Sequence, residues 1–94
     1  MPDSERYQYM TEVLKAMAHP TRLFILDQLH KQECCVGELQ KQLAVDISTV
    51  SKHLLVLRNA GIITSRKVNN QVFYRLLTPC VLEFYSCMTA IKKD

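Results

Sequence analysis

Proline and glycine are so scarce in this chain, three and two among 94 residues, that each one marks a boundary. Between them the apolar residues recur at helical spacing, so the punctuation divides the chain into a row of short helices and one β-rich stretch. A first helix is predicted from about Glu5 to Met17, with Met10, Val13, Leu14 and Met17 on one face. It ends near His19, because the residue before a proline avoids the helical region. Pro20 then suits the first turn of a second helix, where a missing amide costs nothing. That helix buries Leu23, Leu26 and Leu29 and stops near His30 and Lys31.

A short third helix is expected from Val36 to Leu43, with Cys35 at the N-cap position and Glu38 three residues on, as in a capping box. Asp46 caps a fourth, ended by Gly61. Its inward stripe is Ile47, Val50, Leu54 and Leu57, and its other face carries Ser48, Thr49, Ser51, Lys52 and Asn59. Beyond Gly61 the pattern changes. Ile62 to Val68 and Gln71 to Leu77 read as two strands around Asn69-Asn70, since asparagine tolerates the left-handed backbone of a tight turn. Thr78 and Pro79 open a fifth helix, whose stripe of Val81, Phe84, Tyr85, Met88 and Ile91 is too apolar for the periphery of so small a body. The expectation is one mainly helical domain over residues 1–94, with five helices, two strands and a hairpin wing, dimeric through its first and last helices. A small domain buries only about 60 to 65% of the surface its unfolded chain exposes, so a dimer interface would add needed stability.

Charge placement narrows the function. The net charge of +3 is modest, but seven of the nine acids lie at or before Asp46. From Ile47 to Leu82 there is no acid at all, while Lys52, Arg58, Arg66, Lys67 and Arg75 all fall there. A one-signed block that is otherwise well patterned suggests a folded surface facing a polyanion. Two helices joined by a short turn and followed by a basic hairpin make a winged helix-turn-helix. A major groove roughly 12 Å wide admits one helix, and small polar side chains approach base edges without clashing. Ser48, Thr49, Ser51, Lys52 and His53 occupy the first two turns of the reading helix, although His53 can equally pack inward. Arg66, Lys67, Asn69, Asn70 and Gln71 would set the hairpin against the backbone or minor groove of double-stranded DNA. An N-terminal export signal and an apolar run of the roughly 18 residues a membrane span needs are both missing, so the reading places the protein in the cytoplasm, with no membrane partner and reduced thiols.

The runs Leu14-Lys15-Ala16-Met17-Ala18-His19-Pro20-Thr21-Arg22, Ser48-Thr49-Val50-Ser51-Lys52-His53-Leu54 and Leu57-Arg58-Asn59-Ala60-Gly61 resemble the ArsR/SmtB family of repressors. The resemblance covers about Glu12 to Leu77. It implies a homodimer bound to a palindromic operator and released by an inducer, and a mainly structural role for His19. Enzymatic use of a Cys/His pair has no supporting motif, so no enzyme is expected. One zinc-type site of that family uses Asp and His on the last helix, and this chain lacks those ligands there. Another resembles Cys-Val-Cys at the start of the third helix. Here the segment reads Cys34-Cys35-Val36-Gly37, so the first ligand is matched by Cys35 and the second is replaced by Gly37.

A soft ion such as arsenite, the inducer this resemblance favours, would need Cys34, Cys35 and a third thiol, for which Cys80 and Cys87 are candidates. Those two share a helix face but stand about 10.5 Å apart along its axis, too far to bridge each other. The same cysteines also fit a redox or persulfide sensor, because Cys35 and Cys80 are predicted at helix N-termini, where a thiolate is favoured. Cys87 reads as a buried small hydrophobe. No cofactor is required in either case. A winged helix that binds only protein is the remaining class, and it predicts no salt-dependent affinity for DNA.

Overall fold

The computed structural model describes residues 4–92. Five helices appear in the order expected: α1 (Ser4–Met17), α2 (Pro20–Lys31), α3 (Val36–Leu43), α4 (Ile47–Asn59) and α5 (Glu83–Lys92). The sheet has three strands rather than two. A two-residue strand β1 (Cys34–Cys35) pairs antiparallel with β3 (Gln71–Leu76), which pairs in turn with β2 (Ile63–Val68), giving the order β1-β3-β2. So short a strand has no periodicity of its own to read. It exists because the far edge of the hairpin offers unpaired amide and carbonyl groups that the chain entering α3 can satisfy.

Local chemistry explains most of the boundaries. Pro20 sits in the first turn of α2, and the His19 side chain caps that helix by accepting from the Thr21 amide at 3.1 Å. Glu38 Oε1 accepts from the Cys35 amide at 2.9 Å, which fixes the start of α3. At the hairpin tip Asn69 has φ +56°, the left-handed backbone its side chain tolerates. Gly61, φ +81°, turns the chain out of α4 and into β2.

The C-terminal segment departs from expectation. Pro79–Leu82 forms a single 3-10 turn before α5 begins at Glu83, and Thr78 makes no side-chain cap. Its hydroxyl is buried and unpartnered.

The core is one cluster built from Ala16 and Met17 of α1, Ile25, Leu26 and Leu29 of α2, Cys34, Leu39 of α3, Val50, Leu54 and Leu57 of α4, and Ile62 and Ile63. Ile47 was expected to join this stripe but is exposed, because the first turn of α4 runs out past the edge of the core. Tyr85 fastens α5 to the body by donating to the Leu23 carbonyl at 2.8 Å, and burial pushes its phenol up to about 12. Tyr9, Met10 and Leu14 of α1 and Phe84, Met88 and Ile91 of α5 remain exposed on the single chain. Leu14, Met17, Leu23, Phe84 and Met88 line one apolar hollow of about 250 Å³. Among the described residues no helix is long and apolar enough to cross a membrane.

Candidate nucleic-acid interface

Helix α4 is pressed onto the core by Val50, Leu54 and Leu57, all fully buried. With 3.6 residues per turn, that contact turns Ser48, Ser51, Lys52 and Asn59 outward, and all four are exposed. The N-terminus of the helix is held by Asp46, whose Oδ1 accepts from the Thr49 amide at 2.8 Å and from the Ser48 hydroxyl at 3.1 Å. Those bonds hold the Asp46 carboxyl below its ordinary value. The Ser48 hydroxyl is therefore engaged in the cap, and Thr49 is half-buried. Ser51 and Lys52 are the two side chains of the first turns that stand free.

His53 does not belong with them. It is half-buried, its ring tilted against that of His19 at 4.5 Å between centroids. Its Nδ1 accepts from Arg22 Nε at 3.1 Å, and the same guanidinium donates to the carbonyls of Lys15 and Ala16 at the end of α1. Burial first, then the nearby charges of His19 and Arg22, lower the His53 pKa from 6.5. This cluster ties α4 to the α1–α2 corner, with the His53 ring packed against it. Its sequence position held the signal: three residues beyond Val50 and four before Leu57, it borders the inward stripe.

The wing carries its polar residues as expected, with Arg66, Lys67, Asn69, Asn70 and Gln71 all exposed. One partner was not legible in the sequence. Glu33, just before β1, forms a two-point ion pair with Arg66, at 2.9 Å to Nε and 3.3 Å between Oε2 and Nη2.

The cysteines do not converge. Successive residues of a strand point to opposite faces. Cys34, level with Tyr74, turns into the core, is 5% exposed and donates to the Gln32 carbonyl at 3.4 Å. Burial raises its thiol pKa, with smaller contributions from Glu38 and Cys35. Cys35, level with Phe73, opens onto a hollow of about 390 Å³ shared with Gly37, Glu38, Lys41 and Gln71. Cys80 lies in the 3-10 turn, exposed, in a different hollow beside His30 and Glu83. Cys87 is exposed on the single chain instead of buried, since no described residue covers that face of α5. Among the described residues, no three Cys, His, Asp or Glu side chains are grouped to hold a metal ion, so Cys34, Cys35 and Cys80 are not a chelating triad within one protomer.

Residues 19–65, from the cap of α2 into β2, match the bacterial regulatory proteins of the arsR family. The chain belongs to that family. A biofilm growth-associated repressor of Xylella fastidiosa is 39% identical over 72 residues, 77% of this chain and 63% of the relative. The HTH-type transcriptional repressor SmtB of Mycobacterium tuberculosis is 39% identical over 75 residues, 80% of this chain and 56% of that protein. The chain thus spans less than two thirds of the length of both. HlyU from Vibrio cholerae superposes with a TM-score of 0.82 at 34% identity, covering 90% of this chain and 96% of that one. These arsR-family relatives are regulators rather than enzymes. The matched span holds the His19–Arg22–His53 cluster, both adjacent cysteines and the whole of α4.

Proposed function

We propose that this arsR-family chain is a cytoplasmic transcriptional repressor that binds a palindromic operator as a homodimer and lets go when a thiol-directed inducer reacts with it. The observation that carries the DNA-binding part is the outward face of α4. Ser51 and Lys52 stand free because the opposite side of the helix is locked onto the core, and an exposed wing of Lys67, Asn69, Asn70 and Gln71 follows. Phosphate contacts from the wing would supply affinity, and the helix would supply sequence preference. The exposed apolar residues of α1 and α5 support dimerisation, since a second copy would cover them. The repressor names of the relatives point the same way.

For the inducer, Cys35 is the thiol we assign. It is half-buried beside an open hollow, while its neighbour Cys34 is closed into the core. Opposite faces of one strand cannot offer two sulfurs to one arsenic centre. That favours covalent change at Cys35 by an oxidant or a sulfur species. Metalloid capture would have to recruit cysteines of a second copy.

An inverted-repeat duplex selected from a random library by the purified protein tests both parts. The parent should bind it more weakly as salt rises and release it after treatment with arsenite, peroxide or a persulfide donor. Mass spectrometry then shows which adduct accompanies release. Equal and feeble affinity for every duplex would leave only a protein-binding module, and a Cys35→Ser variant that responds like the parent would remove that thiol from the account.

A further inference from the structure

The sequence keeps residues 47–82 free of acids, yet the fold brings one back. Glu33 lies at the turn between α2 and β1, on the far side of β3 from Arg66, so the two side chains meet across roughly 10 Å of sheet at the usual strand spacing. Both oxygens of the carboxylate face the guanidinium, and this is the one ion pair among the described residues. The register puts Arg66 level with Phe73 and Thr64 level with Arg75, so Thr64, Arg66 and Arg75 share one face of the hairpin. Glu33, Thr64, Ser65, Arg66 and Arg75 line a common hollow of about 350 Å³.

We propose that Glu33 is an internal competitor for the DNA backbone, occupying the edge of Arg66 that would otherwise grip a phosphate. This rests on the DNA-binding reading above. A guanidinium fork takes a carboxylate or a phosphate with the same two-point geometry, so it cannot hold both by one edge. The side chains are 61% and 37% exposed, which keeps the pair weak, screened by salt and open to displacement. Docking Arg66 on a phosphate must first undo this pair. Glu33 therefore lowers affinity without reading any base. Its removal leaves Arg66 and Arg75 beside the hollow without that counter-charge.

Because phosphate contacts carry no sequence information, a fluorescein-labelled duplex of mixed sequence is a sufficient probe. Anisotropy titrations compare the full-length parent, Glu33→Gln, Arg66→Gln and the double variant across a salt series. Glu33→Gln should bind roughly two- to fivefold tighter per protomer, and so about tenfold tighter as a dimer, at low ionic strength. The gain should shrink as salt rises and should vanish in the Arg66→Gln background. Unchanged or weaker binding by Glu33→Gln, while the parent binds in a salt-dependent way, would overturn the competitor role alone. Salt-independent or undetectable binding by the parent would overturn the DNA-binding reading and this inference with it. A gain that persists without Arg66 would also count against the role assigned here, since the effect would then be one of net charge.

Discussion

Leu54 and Leu55 are neighbours on α4 with opposite environments, 0% and 56% exposed, and that contrast is the geometric basis for the outward face of the helix. Leu54→Ala removes three buried carbons, a transfer loss of about 2.4 kcal/mol at roughly 0.8 kcal/mol each. The unfilled space adds to this, for a total of about 3 kcal/mol. With an unfolding entropy of roughly 0.2 kcal/mol/K for a domain of this size, the midpoint should fall by about 15 °C. Leu55→Ala should cost under about 0.5 kcal/mol, as surface changes usually do. Thermal unfolding followed by circular dichroism, at one fixed protein concentration because dimerisation makes the midpoint depend on it, reads both variants directly. Comparable losses for the two, or a Leu54→Ala loss below about 1 kcal/mol, would mean that α4 is not seated as described. The orientation of Ser51 and Lys52 would then have no support.

Three further outcomes follow from single features. The folded state holds His53 below 6.5, so the unfolded chain takes up the proton first. The stability this group contributes is whole above pH 6.5 and is lost as pH falls from there through the lowered value; His53→Gln should flatten that part of the stability curve, and equal slopes would contradict the assignment. Gly61→Ala meets no atom within 4 Å of the new Cβ, so its cost of about 1 to 2 kcal/mol should come from the positive φ alone, and a neutral result in chemical denaturation would refute it. Under limiting iodoacetamide, Cys34 should be the last of the four thiols alkylated, because it is both buried and shifted upward; early labelling of Cys34 by peptide mass spectrometry would show that β1 opens readily.

What could be read from the chain was what local chemistry decides. Val36–Leu43 is bounded by Cys35 and Glu38 within one helical turn, and the hairpin tip by an asparagine that accepts a positive φ, so both were legible. What escaped was decided by distant partners. Strand β1 exists only because β3 is there to pair with it. The Glu33–Arg66 contact links residues far apart in sequence, and nothing near Glu33 announces it. Ile47 and His53 illustrate the middle case. Both lie at the margin of a helical stripe, where spacing leaves two orientations open and the extent of the core chooses between them. In the candidate site, the outward residues of α4 and the wing stand where spacing placed them, whereas the cysteines fail to converge because the pairing of β1 with β3 turns Cys34 and Cys35 to opposite faces.

Backbone amide shifts of isotope-labelled protein, recorded while duplex DNA is added, test the groove-reading surface most directly. The account predicts that the largest changes fall on Ser48 to Lys52 and on Arg66 to Gln71, with the amides of α1 and of Phe84 to Ile91 little affected. Changes centred on α1 and α5, with the start of α4 and the wing unmoved, would contradict it.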